Sequence, residues 1–160
     1  MNSNQKFNND LKQGNIGERI VANYLKNKGF NIIGFSNEKK YDIITDYNGK
    51  EKTFEVKTDL WEYYNKKVTN NLFIEVSCSG KPSGISSSQA DYFIYLLPET
   101  GYMYMIKMEE LRDLIRFNNF RKSTQSGDGG RSVGYLLNRD KIKEHFNIVK
   151  LNDILKYFIK

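Results

Sequence analysis

The sequence predicts an α/β fold, with an N-terminal helix first and then a central mixed sheet flanked by helices. Three observations predict it. Leu11, Ile16, Ile20, Val21, Tyr24 and Leu25 recur near the 3.6-residue period and give one apolar stripe. Two extended runs, 41–45 and 53–58, flank Asn48-Gly49, a dipeptide that accepts the positive φ of a two-residue hairpin turn. A second pair of runs, 92–97 and 101–107, brackets Pro98-Glu99-Thr100. A helix followed by strands with further helices on their faces is an α/β layout.

Taken in order, residues 1–9 are polar and are expected to fray. Asp10 is placed to cap a helix running to about residue 28, with Gly29 as its stop. Residues 31–35 read as a strand leading into the Asp42 hairpin. Residues 61–71 are polar and aromatic, a loop by composition. Residues 72–78 form a strand on which Phe73, Glu75 and Ser77 share a face. Residues 79–88 hold Gly80, Pro82, Gly84 and several serines, hence a loop, and Ser86 to Ser88 can cap a short helix carrying Gln89 and Asp91. Residues 108–120 give a helix with Leu111, Leu114 and Ile115 inward. Residues 121–134, with Ser123, Ser126, Gly127, Gly129 and Gly130, read as a flexible loop. A short strand at 134–137 and a closing helix at 153–159 complete the chain. No internal repeat is visible.

The chain of 160 residues suits one domain, large enough to bury roughly 70% of its unfolded surface. Its 25 Lys and Arg against 19 Asp and Glu give a net charge of +6 and a pI near 9.2, a mild bias toward polyanions. The single Cys78 excludes an internal disulfide and a cysteine-based zinc cluster, which fits a reducing cytoplasm. No apolar run approaches the roughly eighteen residues of a membrane span, and Met1-Asn2-Ser3-Asn4-Gln5 begins no signal peptide. A cytoplasmic location is therefore expected, in the host cell if the gene is phage-borne.

The candidate chemistry lies on the 41–58 hairpin. Alternation along a strand sends Glu55 and Lys57 to one face and Phe54, Val56 and Thr58 to the other, and the hairpin sets Asp42 beside the first pair. Two carboxylates and an ammonium on one sheet face are costly to bury unless a metal or a phosphate compensates. Hard carboxylate oxygens suit Mg²⁺, which takes one or two of them together with substrate phosphate oxygens. A solvated strand face is the simpler reading of Glu55-x-Lys57 alone. Ser86, Ser87 and Ser88 sit in no G-x-S-x-G elbow, so a serine nucleophile is not indicated. His145, among Lys141, Lys143 and Glu144, reads as a surface residue, and Cys78 as small packing.

Asp42, a twelve-residue gap and Glu55-Val56-Lys57 resemble the D…(D/E)-x-K signature of the PD-(D/E)XK nuclease superfamily. Gly14-Asn15-Ile16-Gly17-Glu18 on the upstream helix is similar to the G-x-x-G-E element of its Holliday-junction-resolvase-like and restriction-endonuclease-like branches. Tyr41 stands where the family often has Pro. The resemblance spans about the first 60 residues and implies a restriction-endonuclease-like core. It also implies a metal-dependent endonuclease, with Asp42 and Glu55 holding Mg²⁺ (or Mn²⁺ in its place) and Lys57 orienting water or stabilising added charge. Glu18 would be a further ligand, direct or through water, or the group that orients Lys57. Glu75, Gln89 and Asp91 are outer candidates: Glu75 faces site or solvent, and capping and packing are the simpler roles for the other two.

DNA contact would fall to Lys39, Lys40, Lys66, Lys67, Arg121, Lys122 and Arg131. Branched DNA is the leading expected substrate, and cutting two strands in concert calls for a homodimer. Linear or single-stranded DNA is the rival within the class. A catalytically silent module that binds nucleic acid or protein is the rival outside it.

Overall fold

In the computed structural model the backbone is described over residues 3–36, 40–125 and 131–159, and side chains over 14–36, 40–124 and 131–159. Helix α1 (Ser3–Asn27) leads, starting upstream of Asp10, which therefore lies inside the helix and does not cap it. Six strands follow the order β1-β2-β3-β6-β7-β10, namely β1 (Asn31–Phe35), β2 (Ile43–Tyr47), β3 (Lys50–Thr58), β6 (Tyr92–Leu97), β7 (Tyr102–Lys107) and β10 (Asn147–Lys150). Every pairing is antiparallel except the parallel β3–β6 contact, so the sheet is mixed. Asn48 (φ 52) and Gly49 (φ 75) make the β2–β3 turn with both central residues at positive φ.

Alternation along the strands splits the core in two. Phe54, Ile94, Leu96 and Met103 meet Val21 and Leu25 of α1, with Ile154 and Phe158 from the chain end. On the opposite face Phe93, Tyr95 and Leu97 meet Leu72, Ile74 and Leu137 of a second sheet. Met108, Leu111 and Leu114 of helix α3 (Met108–Phe117) join that second core. Burying a side chain such as Phe54 or Leu111 is worth about 1.5–3 kcal/mol each.

The second sheet is the main departure from the sequence reading. It runs β5-β4-β9-β8, from β4 (Asn71–Cys78), β5 (Lys81–Pro82), β8 (Arg121–Gln125) and β9 (Ser132–Asn138). The expected loop at 121–134 instead supplies β8 and the start of β9, because β9 finds a ladder on β4 and β8 in turn pairs along β9. Gly134 belongs to that ladder for a steric reason: a Cβ there would lie 2.3 Å from the Ile74 carbonyl oxygen. Ser126, Gly127, Gly129 and Gly130 lie outside the described residues.

Smaller corrections follow the same logic. The expected loop at 61–71 opens with a short helix, α2 (Trp61–Asn65), whose first amide is capped by Asp59 Oδ1 at 2.8 Å. Ser86 to Ser88 cap no helix; Ser86 ends a 3₁₀ turn (Gly84–Ser86) and 89–91 runs into β6. The end of the chain adds helix α4 (Arg139–Ile142) and β10, and its closing helix is a 3₁₀ turn (Ile154–Tyr157). Among the described residues no helix is long and apolar enough to cross a membrane.

Candidate active site

β2 and β3 set the carboxylates. Ile43 pairs with Phe54, and the Asp42 amide donates to the Phe54 carbonyl at 2.9 Å, so Asp42 stands beside Glu55 at the open end of the hairpin. The Ser36 amide holds the Asp42 carbonyl from the other side, also at 2.9 Å. Asp42 Oδ2 accepts the Val56 amide at 2.7 Å, which fixes the carboxylate toward β3. Glu18 arrives from α1, which can come this close because of Gly17. A Cβ at residue 17 would sit 1.8 Å from Thr58 Oγ1, itself buried and without a hydrogen-bond partner. Gly14, by contrast, has open space around it.

The three acids act on one another. Burial lifts Glu55 from the ordinary 4.5 to about 7, with the Asp42 charge adding to it, the Ser88 hydrogen bond opposing and Glu18 adding a further push. Burial, then the charge of Asp42, also lifts Glu18 to about 7. Asp42 is raised by burial, against the lowering effect of its bond to Val56. Half-buried, clustered carboxylates held without a cation are an expensive arrangement in a folded chain. Among the described residues no three acids close into a ready three-ligand cage. A two-carboxylate Mg²⁺ site needs none, since that ion keeps waters and takes phosphate oxygens. Asp42 and Glu55 each keep one oxygen outside the hydrogen bonds just described, so the donor set fits such an ion.

Lys57 projects from the Glu55 face of β3, exposed, and takes part in neither the Lys107–Glu110 nor the Arg139–Glu62 ion pair. The outer candidates are placed differently. Asp91 Oδ2 accepts the Thr53 amide at 2.9 Å and its hydroxyl at 3.1 Å, staple contacts that tie β6 to β3. Gln89 is exposed and its amide donates to the Lys40 carbonyl at 2.7 Å. Glu75, on β4 of the second sheet, accepts the hydroxyl of Ser83, which follows β5.

Sequence reasoning missed Ser88. Its hydroxyl donates to Glu55 Oε2 at 2.9 Å, although the two residues lie 33 positions apart. No local pattern signals such a contact.

The basic candidates are spread over the surface. Lys40 is exposed beside Asp42, and Lys39 lies outside the described residues. Lys66 stacks 3.9 Å over the Tyr63 ring, with Lys67 exposed next to it. Arg121 and Lys122 are exposed on β8, and Arg131 is exposed at the start of β9's approach. Arg121 also borders a cleft of about 400 Å³ with Lys141 and His145. His145 is exposed, as expected.

No family model matches the sequence, and no curated protein matches it. Among solved structures, a bacterial homing endonuclease, I-Ssp6803I, is similar at a TM-score of 0.51 and 15% identity. The match covers 81% of this chain and 78% of that one. The chain has a nuclease-like fold.

Proposed function

We propose that this protein is a metal-dependent endonuclease of the PD-(D/E)XK kind acting on DNA. The observation that carries the reading is the half-buried Asp42, Glu55 and Glu18 cluster, lifted in pKa, with Lys57 on the same strand face as Glu55. Asp42 and Glu55 would hold Mg²⁺, and Glu18 would contribute directly or through water. Bound there, the ion supplies an acidified water and a clamp on the phosphate. Lys57 places a positive charge where the phosphate gains negative charge. The endonuclease fold of I-Ssp6803I supports the same class of reaction.

The substrate we favour is branched DNA cut by a homodimer. The Gly14-x-x-Gly17-Glu18 helix supports this choice through its resemblance to the junction resolvases, and Gly17 lets that helix pack closely on Thr58 at the end of β3. The exposed Lys40, Lys66, Lys67, Arg121, Lys122 and Arg131 would hold the phosphate backbone in a salt-dependent way.

Labelled four-way junction, linear duplex and single-stranded DNA, each with Mg²⁺ or Mn²⁺, test the reading against Glu55→Ala and Lys57→Ala. Metal-dependent cutting that both substitutions lower by about 10²-fold or more is expected. Cutting of every substrate alike would keep the site and remove the junction preference. Binding of DNA with no cutting under either metal would leave a silent binding module in its place.

A further inference from the structure

We infer that Arg112 is a positioning residue for Glu55, acting from helix α3 through the 85–91 strap that carries Ser88. This rests on the metal-site reading above. The strap crosses from the second sheet to β6 and is tied on two sides. On one side the Gln89 amide donates to the Lys40 carbonyl at 2.7 Å and Asp91 is stapled to Thr53. On the other, Arg112 Nε and Nη2 donate to the Ile85 carbonyl at 3.0 and 2.8 Å. The same Nη2 donates to the Ser88 carbonyl at 2.6 Å. One guanidinium thus fixes two carbonyls of the strap, a task that suits its rigid planar fork better than a single ammonium.

Ser88 is the residue so held. It is 5% exposed, and its hydroxyl has one proton but two acceptors in reach, Glu55 Oε2 at 2.9 Å and the Lys40 carbonyl at 3.2 Å. The Ala90 amide, 3.2 Å away, donates to the same oxygen and so occupies a lone pair. Which acceptor receives the proton depends on a few tenths of an ångström in the placement of residue 88. Arg112 sets that placement. Outer partners of ligating carboxylates commonly change metal affinity by about 10–100-fold.

Mn²⁺ titration, followed by the resonance signal of the free ion, tests this on wild type, Ser88→Ala, Ser88→Thr, Arg112→Ala, Arg112→Lys and the Ser88→Ala/Arg112→Ala double variant. Thermal melting of each runs alongside. Arg112→Ala and Ser88→Ala should each weaken Mn²⁺ by about 10-fold or more, with the double variant no weaker than the worse single. Ser88→Thr should bind nearly as wild type. Arg112→Lys should fall between, and carries the same test should Arg112→Ala fail to fold. An Arg112 variant that melts lower yet binds Mn²⁺ as wild type does would reduce the arginine to a stabiliser of the strap and overturn the inference. Additive losses in the double variant would overturn the route through Ser88. Wild type that binds no Mn²⁺ would overturn the metal site itself, and the inference with it.

Discussion

Two acidic centres in this molecule meet burial in opposite ways. Glu62, on α2, is 7% exposed, and its Oε1 accepts from the Thr69 amide and hydroxyl, the Asn70 amide and Arg139 Nη2 at 2.8–3.2 Å. Asp42, Glu55 and Glu18 share a less enclosed place, where the Val56 amide serves Asp42 and the Ser88 hydroxyl serves Glu55. The first centre meets its carboxylate with an arginine and backbone amides and ties the 60–70 segment to α4. The second brings three acids together and raises the pKa of each, as a site for a cation and phosphate would. Burial alone separates structural from functional carboxylates poorly; what the chain supplies as counter-charge separates them well.

The largest expected effect breaks the first centre. Glu62→Ala strands Arg139, whose Nε already lacks a partner, and should cost about 3–5 kcal/mol in urea unfolding. Its effect on cutting by the protein that remains folded should be small. A Glu62→Ala protein of unchanged stability would dissolve the contrast.

Next comes the glycine that admits Glu18 to the second centre. Gly17→Ala pushes a methyl group into Thr58 and should cost about 1–3 kcal/mol. Gly14→Ala meets only open space, and should stabilise α1 by up to about 1 kcal/mol. Melting curves of the two proteins should therefore move in opposite directions.

Removing charge from the second centre should help the fold while it harms the chemistry. Glu55→Gln should raise stability at pH 8 without metal by about 1–2 kcal/mol, less than the full pKa shift because solvent screens part of it. The same protein should not cut DNA. Loss of stability in Glu55→Gln would mean that the carboxylate serves the fold after all.

The last test is read on the wild type. Glu55 and Glu18 sit at about 7 in the folded chain against 4.5 ordinarily, so the folded state holds more protons between those values. The cluster's contribution to stability therefore falls as pH rises from about 4.5 to 7 and stays low above it. Mg²⁺ at pH 8 should restore part of it, seen as a concentration-dependent rise in melting temperature.

The legible parts of this architecture were those encoded within a few residues. Asn48-Gly49 announced its hairpin, alternation placed Glu55 and Lys57 on one face, and Gly17-Glu18 stood out on an otherwise ordinary helix. What stayed hidden depends on partners far along the chain. β8 looked like a loop because Gly, Ser and basic residues mask a strand whose ladder lies on β9. Ser88 and Arg112 carry no local pattern, since each is defined by a carbonyl or carboxylate that only the folded strap brings near. The Glu62 centre escaped notice for the same reason, its arginine being 77 residues away.

The parallel β3–β6 contact also sets an order of assembly on the ribosome. The β2–β3 hairpin closes locally, on the microsecond scale, as soon as residue 58 is clear of the exit tunnel. β6 can join only after the intervening β4 has been made, and β4 itself awaits β9. Asp42 and Glu55 thus spend early synthesis side by side in water, where both ionise freely. Glu55 gains its Ser88 hydroxyl and its parallel neighbour strand only once residues 88–97 have been made, so the nascent chain meets the electrostatic cost of its own site after the hairpin itself has closed.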